Sequence, residues 1–394
     1  MSRFLFVVPP LTGHINPAAA VAAELTARGH EVAWAGRPVV VGRLVGGRPK
    51  VYECAGPDRI DGLRPPQLRG IAALKFLWDG FLGPLAEAMA PGVEAAIGAF
   101  GPDVVVCDQQ TVAGALVAER LGVPYATSST TSAELADSMA GLPGVEGWLT
   151  ALLGRLRQRI GDPAATHDPR FSPLLTLAFT TPELVGPYPV PATDLRFVGP
   201  ALASRRSDAG DFPWQWLDLA PGTAPVLITL GTANPDAGGR FLAESVAAVR
   251  ARTGQLRAVV CDPGGLLGPV AVGPDVLVRT SLPQVALLER MSAVVCHAGH
   301  NTVTEALWHG VPLVVAPIRD DQPVVASQVV GAGAGLRIKF GRAGRDQIGA
   351  ALDAVVTEPR YREAAHRIRD AFRKAGGESA AATYLEELAG AGGR

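Results

Sequence analysis

Short apolar runs alternate along the chain with Ala-rich stretches of helical character. The runs are four or five residues long and rich in Val, Ile and Leu; they occupy residues 4–8, 31–35, 103–107, 226–230, 256–260, 293–296 and 313–316. Continuous apolar runs separated by helices are typical of strands in parallel sheets that are covered on both faces. The pattern therefore predicts the α/β fold class.

Two helix starts are marked by their residues. Asn16 followed by Pro17 fits an N-cap and a first-turn proline, and the Ala-rich helix that follows is expected to stop at Gly29. Thr302 and Glu305 have the spacing of a capping box, so a second helix is expected to begin there.

A polar stretch rich in Pro and Gly interrupts the pattern between about residue 199 and residue 225. Such a stretch is typical of a domain boundary. On each side of it a unit begins alike, with a strand, a Gly-containing loop and a helix. We therefore expect an N-terminal Rossmann-like domain over residues 1–205, a linker over 206–224, a C-terminal Rossmann-like domain over 225–375 and a helical tail over 376–394, which is free to pack back on the first domain.

Composition removes several classes of protein. The 394 residues carry 36 Lys and Arg against 37 Asp and Glu, and 48% are hydrophobic, so global disorder is excluded. A net charge of −1 provides no broad field to hold nucleic acid or an anionic membrane. No apolar run reaches the ~18 residues of a membrane span, and the N-terminus is too short in apolar residues for a signal peptide. Four cysteines without a C-x-x-C pair indicate reduced thiols, no zinc site and a cytoplasmic protein.

His14 and Asp108 each follow a predicted strand, at the edge where open α/β sheets bind ligands. A helix N-terminus disfavours the imidazolium, so we expect a neutral His14 that can accept a proton. A carboxylate on the other ring nitrogen would fix the tautomer and stabilise the cation that forms. The alternative is structural: a loop histidine that bonds its own turn, and an aspartate that caps the helix near Thr111.

Residues 297–323 follow a strand and open a helix. A Gly-containing turn of this kind presents free amides and a positive helix end to a diphosphate. His297, Asn301 and Thr302 add side-chain donors, and the chain has no D-x-D pattern for a divalent-metal clamp. Here too a structural alternative stands, with Thr302 and Glu305 capping a helix and His297 a satisfied buried residue.

The stretch HAGHNTVTEAL with a later DDQ resembles the donor-binding signature of family 1 nucleotide-sugar glycosyltransferases. The resemblance is strongest to bacterial enzymes that glycosylate macrolides, other polyketides and carotenoids. It covers most of the chain, since G-H-x-x-P at 13–17, Leu-Gly-Thr at 230–232 and Pro-Gln at 283–284 occur in the family's order. It implies a GT-B fold, with two Rossmann-like domains facing a central cleft, the acceptor on the first and the donor nucleotide on the second.

Matching positions assign roles by this resemblance. His14 is the general base and Asp108 its partner, while His297 contacts the diphosphate, Glu305 the ribose, and Asp321 with Gln322 the sugar hydroxyls. Pro283 and Gln284 match the segment that cradles the nucleotide base. The full donor-binding set comprises Gly231, Thr232, Leu282, Pro283, Gln284, His297, Gly299, Asn301, Thr302, Glu305, Asp321 and Gln322. Ser281 stands where many relatives have Trp, so UDP and dTDP donors both stay open.

The expected function is an inverting glycosyltransferase. It would move a hexose, glucose or a deoxysugar, from a UDP- or dTDP-sugar to a hydroxyl of a hydrophobic natural product, with no metal and no cofactor besides the sugar nucleotide. Its partners would be the sugar donor and the acceptor, without nucleic acid or stable membrane insertion. The sequence leaves open whether the protein forms a homodimer. Three alternatives remain: a GT-B enzyme acting on a lipid or cell-wall intermediate, a nucleotide-sugar epimerase, and a non-catalytic binding or activator subunit.

Overall fold

The computed structural model describes residues 1–58, 65, 68, 70–135, 143–187, 193–202, 212–218, 222–231, 238–268 and 273–391. The chain divides into two compact units. The N-terminal unit comprises Met1–Thr181, Pro187–Ser204 and Ala375–Arg394, and the C-terminal unit comprises Pro182–Gly186 and Arg205–Lys374. Each unit has a parallel sheet covered by helices, which confirms the predicted α/β class.

The N-terminal sheet has seven parallel strands within the described ranges, in the order β3-β2-β1-β4-β5-β6-β7. These strands are β1 (Arg3–Val7), β2 (Glu31–Gly36), β3 (Val51–Glu53), β4 (Val104–Asp108), β5 (Tyr125–Ser129), β6 (Thr176–Ala178) and β7 (Leu195–Phe197). The helices of this unit are α1 (Thr12–Ala27), α2 (Pro38–Val45), α3 (Gly70–Lys75), a π-helical segment (Phe76–Leu82), α4 (Gly83–Phe100), α5 (Val112–Arg120), a 3₁₀ turn (Ser132–Glu134), α6 (Pro143–Ile160) and the C-terminal α14 (Gly377–Ala391).

The C-terminal sheet has six parallel strands in the described part, in the order β10-β9-β8-β11-β12-β13. These are β8 (Ala224–Thr229), β9 (Leu256–Cys261), β10 (Val276–Arg279), β11 (Ala293–Cys296), β12 (Leu313–Val315) and β13 (Gly335–Arg337). The helices are α7 (Pro182–Val185), a 3₁₀ turn (Trp214–Asp218), α8 (Gly239–Arg250), α9 (Gln284–Leu288), α10 (His300–Trp308), α11 (Gln322–Gly331), α12 (Arg345–Thr357) and α13 (Pro359–Ala375).

Alternate residues of each central strand face opposite layers of helices. In β1, Phe4 and Phe6 pack with α1 and α14, while Leu5 and Val7 pack with α4 and α5. Such burial on both faces explains why the strands read as unbroken apolar runs instead of alternating ones. All seven predicted strands are present, each shifted by at most two residues at either end.

Two segments at the predicted boundaries pack firmly. From the predicted linker, Phe212 and Leu217 lie in the hydrophobic core of the C-terminal unit, and the Arg257 guanidinium stacks 3.9 Å from the centre of the Trp216 ring. At the C-terminus, α14 packs on α1 in the N-terminal unit, where Arg28 of the α1 cap donates to Glu386 at 2.8 Å. No helix in the described ranges is both long and apolar enough to cross a membrane.

Both predicted helix starts are wrong. Helix α1 begins at Thr12, because the amides of His14 and Ile15 already bond the Leu11 carbonyl at 3.0 and 3.1 Å. Pro17 lies inside the helix, where it lacks the N–H of an intrahelical bond, so its position does not mark the first turn. Helix α10 begins at His300 after an N-cap at Gly299, so Thr302 is not a cap. The predicted stop of α1 is confirmed, with Gly29 left-handed at φ 87°.

Candidate active site

The first cluster lies at the carboxyl edge of the N-terminal sheet. His14 occupies the first turn of α1 after β1, and Asp108 is the last residue of the adjacent strand β4. The Nδ1 atom of His14 lies 2.9 Å from Oδ2 of Asp108. The two residues that the sequence singled out for proton transfer are therefore in direct contact.

Asp108 is almost fully enclosed, with 1% of its side chain exposed. Its Oδ1 accepts a hydrogen bond from the Gln110 amide at 2.9 Å, and its Oδ2 accepts one from the Thr130 hydroxyl at 2.9 Å. A buried carboxylate is costly unless its oxygens are satisfied, and here both are. The site is thus built to keep this side chain as a hydrogen-bond acceptor.

Asp108 determines which ring nitrogen of His14 carries the hydrogen. An ionised carboxylate can only accept, so the Nδ1 that faces Asp108 carries the hydrogen. The lone pair then lies on Nε2. Because 16% of the His14 side chain is exposed, this ring can be reached from outside. The pair can therefore take a proton from a bound hydroxyl and stabilise the resulting imidazolium.

Thr130 was missed by the sequence reasoning. It follows β5, the strand next to β4, and its Oγ1 lies 2.8 Å from Nδ1 of His14. The available signal was the polar run from Thr127 to Ser132, which ends a strand beside β4. That run was not read as strand-adjacent, because hydroxyl-rich residues do not form an apolar pattern.

The second cluster belongs to the C-terminal unit and centres on His297, which follows β11 and is 6% exposed. Its ring lies between two glycines. A Cβ added at Gly231 would lie 2.6 Å from Cε1 of the ring, and one added at Gly299 would lie 2.3 Å from Nε2. Gly231 also has φ 72°, a conformation that favours glycine. The glycines of the predicted signature are therefore required by the packing of this imidazole.

His297 is held neutral. Burial, and secondarily the positive charge of Arg319, lowers its pKa to about 4. Its Nδ1 is buried without a hydrogen-bond partner among the described residues. A buried polar atom that the protein leaves unsatisfied is uncommon and costs free energy. This nitrogen is thus placed for a ligand or a water.

The N-terminus of α10 follows His297 directly. Ala298 takes φ 65°, and the Gly299 N-cap makes no side-chain capping bond. The first amide bonded within the helix is that of Val303, which donates to the Gly299 carbonyl at 3.1 Å. Helical geometry gives the amide of Thr302, which precedes it, no acceptor within the helix. A helix start of this kind, with the positive end of the helix dipole, favours an anion.

Glu305, one turn further along α10, is connected to the predicted base-binding segment. Its Oε2 accepts a hydrogen bond of 2.7 Å from Nε2 of Gln284, the first residue of α9. Pro283 is the N-cap of that helix, and Leu282 packs against the core of the unit. The structure therefore joins the segments to which the resemblance gives the base and the ribose.

The predicted sugar clamp lies where α11 begins. Asp321 is the N-cap and Gln322 the first helical residue. The Gln322 Oε1 accepts from the amides of Ile318 and Arg319 at 2.8 and 3.0 Å, so it holds the loop, and its Nε2 is the group that could donate to a ligand. The buried Arg319 was missed by the sequence reasoning, and Thr232 lies outside the described residues.

Comparisons with known proteins show the family to which this chain belongs. A family model described as "UDP-glucoronosyl and UDP-glucosyl transferase" matches residues 245–373. The chain is 30% identical to 4'-demethylrebeccamycin synthase of Lentzea aerocolonigenes over 412 residues, which cover 94% of this chain and 96% of the relative.

Solved structures match over the whole length. The glycotransferase of kitacinnamycin has a TM-score of 0.79 and 25% identity, with 98% of each chain covered. The glycosyltransferase VinC, solved in complex with dTDP, has a TM-score of 0.74 and 23% identity, covering 98% of this chain and 99% of its own. These likenesses confirm the predicted GT-B architecture of two Rossmann-like domains.

Proposed function

We propose a donor class, an acceptor class and a mechanism for this chain, which belongs to the family of nucleotide-sugar glycosyltransferases that includes the UDP-glucosyl transferases. Membership makes the chain a glycosyltransferase whose relatives are bacterial enzymes of natural-product biosynthesis. The reaction that we propose is the inverting transfer of a hexose to a hydroxyl group.

The contact between His14 and Asp108 carries this proposal. Nε2 of His14 takes the proton of an acceptor hydroxyl, and the oxygen attacks the anomeric carbon of an α-linked nucleotide sugar from the face opposite the diphosphate. The new bond forms as the bond to the diphosphate breaks, which leaves a β-glycoside. Asp108 stabilises the imidazolium while it exists.

Departure of the nucleoside diphosphate develops negative charge on its leaving oxygen. We assign its stabilisation to the first-turn amides of α10, to Thr302 and to His297, which lie at one helix end. Asp321 and the Nε2 of Gln322 would hold sugar hydroxyls, since carboxylate and amide groups bond an uncharged, hydroxyl-rich ring in several directions. No metal ion takes part in these steps.

The donor is a UDP- or dTDP-linked glucose or deoxyhexose in this proposal. A solved relative binds dTDP, which supports the thymidine form, while the family description refers to UDP-sugars. Calorimetric titration with UDP, dTDP and their glucose conjugates measures which of them binds. The ligand that binds should also raise the stability of the native state, because it binds only that state.

The acceptor is a hydrophobic natural product, as the relatives' names suggest for those proteins.

We place the reaction in the cytoplasm. The four cysteines are free thiols in the structure, which fits a reducing compartment.

Incubation of the purified chain with a UDP- or dTDP-hexose and a panel of polyketide and aromatic aglycones tests the proposal. We expect release of nucleoside diphosphate together with a β-glycoside, identified by the anomeric coupling constant. His14→Ala should lower turnover by about 10²–10⁴, the usual contribution of a general base. Isomerised sugar nucleotide would indicate an epimerase, glycosylation of lipid acceptors alone a lipid enzyme, and no turnover with tight donor binding a non-catalytic subunit.

A further inference from the structure

Thr130 lies against both members of the proposed catalytic pair. We propose that Thr130 is a positioning residue for the general base, which fixes the Asp108 carboxylate and thereby the ring of His14. This inference rests on the proposed function, since it gives Thr130 a role in the step that His14 performs.

The three side chains form a closed triangle. Oγ1 of Thr130 lies 2.9 Å from Oδ2 of Asp108 and 2.8 Å from Nδ1 of His14, and the third side, from Nδ1 to Oδ2, is 2.9 Å. The hydroxyl has one proton, and the carboxylate has none, so the hydroxyl proton points to Asp108. A lone pair of Oγ1 then faces the Nδ1–H of His14.

This arrangement favours one tautomer of the imidazole. With the ring proton on Nδ1, all three contacts of the triangle are attractive. With the ring proton on Nε2, the Nδ1 lone pair would face the anionic Oδ2 at 2.9 Å, and Thr130 could satisfy only one of its two neighbours. Thr130 therefore helps to keep Nε2 as the atom that accepts a proton.

The loop that carries Thr130 is fastened to the turn after β4 on both sides of this residue. Before it, the Ser129 hydroxyl donates to Oε1 of Gln109 at 2.8 Å. After it, Nε2 of Gln110 donates to Oε1 of Glu134 at 3.2 Å, and Arg170 donates to the same carboxylate at 3.1 Å. Thr130 itself is 3% exposed. Its hydroxyl is thus held in place before any substrate binds, which is how a preorganised group contributes to a rate.

The consequence is specific to one kinetic constant. Without the Thr130 hydroxyl, Oδ2 of Asp108 has one donor instead of two, and the carboxylate and ring can rotate away from the reactive geometry. The chemical step then slows. Donor binding should not change, because the hydroxyl bonds only Asp108 and His14 among the partners described here.

Three substitutions and one matched control test the proposal in the complete enzyme. Thr130→Val and Thr130→Ala remove the hydroxyl, whereas Thr130→Ser keeps it and removes only the methyl group. The control is Thr176→Val in β6, since Thr176 is buried in the same sheet and its hydroxyl has no partner in the described structure. Removal of an unsatisfied hydroxyl by an isosteric methyl should be close to neutral.

We expect kcat to fall on the order of tenfold in Thr130→Val and Thr130→Ala, with the donor KM within about twofold of wild type. Thr130→Ser should keep kcat within about threefold, and Thr176→Val should match wild type in both constants. His14→Ala is measured in the same assay, and melting temperatures are recorded for every variant.

Several results would overturn the proposal. If Val and Ala keep wild-type kcat while His14→Ala is inactive, Thr130 has no positioning role and the proposed function stands. If Ser is as slow as Ala, packing of the methyl group is responsible and the hydroxyl is not. If His14→Ala is fully active, the base mechanism itself is wrong and the role of Thr130 falls with it. Should Thr130→Val fail to fold, the comparison of Ser with Ala gives the same decision.

Discussion

The two polar clusters of this enzyme differ in whether their central polar atoms have hydrogen-bond partners within the protein. In the N-terminal unit, the Asp108 carboxylate has protein partners on both oxygens. In the C-terminal unit, the Nδ1 of His297 is buried without a partner in the described structure, and the Gly299 N-cap of α10 makes no side-chain capping bond.

The difference follows from what each cluster would do. A general base needs a defined proton position before the substrate arrives, and only bonds within the protein can fix it. A diphosphate site instead has to keep donors available for the ligand, at a cost in folding free energy of about 1–3 kcal/mol for each unsatisfied group. A carboxylate paired on both oxygens at one cluster and an unpaired imidazole nitrogen at the other are therefore what the two proposed roles require.

The largest effect should come from Asp108→Asn. The amide group that replaces the carboxylate can donate to Nδ1 of His14, which would move the ring proton to Nε2 and remove the base. We expect kcat to fall by about 10²–10⁴ with donor affinity retained. The matched control is Asp103→Asn, an exposed aspartate just before β4 whose Oδ2 accepts from the Arg3 amide at 2.7 Å. A variant at position 108 that turns over like this control would contradict the pairing.

Gly299→Ala should have the next largest effect, at the binding cluster. The added Cβ would lie 2.3 Å from Nε2 of His297, so the imidazole or the start of α10 must shift. Loss of one charge-assisted hydrogen bond corresponds to about 10–100-fold weaker binding of the nucleoside diphosphate, measured by calorimetry. Gly341→Ala, in the same unit with no atom within 4 Å of the new Cβ, is the control. Equal affinities of the two variants would remove His297 from the donor site.

Acid should destabilise the chain through His297. The folded pKa is lowered to about 4 by burial and by Arg319. The unfolded value is about 6.5, so between these values the unfolded chain binds a proton that the folded chain excludes, and stability falls as pH falls. At pH 5 the loss is about 2 kcal/mol.

Denaturant unfolding at pH 7 and pH 5 checks this prediction with His297→Gln, which cannot titrate. The change in unfolding free energy between the two pH values should be smaller in the variant by about 2 kcal/mol. Every other side chain is the same in the two proteins, so its contribution cancels. An identical pH dependence would mean that His297 is not held neutral.

The smallest effect concerns the C-terminal helix. Arg28→Ala removes donors to Glu386, Thr383 and Ser379 of α14. Because these contacts are partly solvated, we expect the opening free energy of α14 to drop by only about 1 kcal/mol, seen as faster hydrogen exchange in that helix alone. The control is Arg342→Ala, on the surface of the C-terminal unit, which should leave hydrogen exchange in α14 unchanged. Unaltered protection in Arg28→Ala would show that apolar packing alone holds the helix.

A strand could be predicted from the sequence when both of its faces are buried. Strands β1 and β4 were found because both of their faces are covered, which requires apolar residues throughout. Strand β5 ends in Thr127, Ser128 and Ser129, so its polar composition concealed it. The start of α1 was misplaced because proline favours the first turn of a helix, whereas Pro17 lies in the interior of α1.

The same reasoning explains what was found of the site. His14 and Asp108 were predictable because the carboxyl ends of adjacent parallel strands must meet. Thr130 and Arg319 were not, since a hydroxyl or a charge in a loop acquires its meaning only from the atoms that it touches. The hydrogen bond from Gln284 to the Glu305 carboxylate likewise depends on the contact between α9 and α10, which the sequence alone does not reveal.

The most direct test of the central claim compares acceptors of graded acidity. A base matters most for an alkyl hydroxyl and least for an acidic phenol, which gives up its proton without help. We therefore predict that the ratio of wild-type to His14→Ala kcat is about 10²–10⁴ for an alkyl alcohol and approaches one for a nitrophenol. A ratio that stays constant across acceptors, or that is near one for all of them, would show that His14 does not remove the acceptor proton.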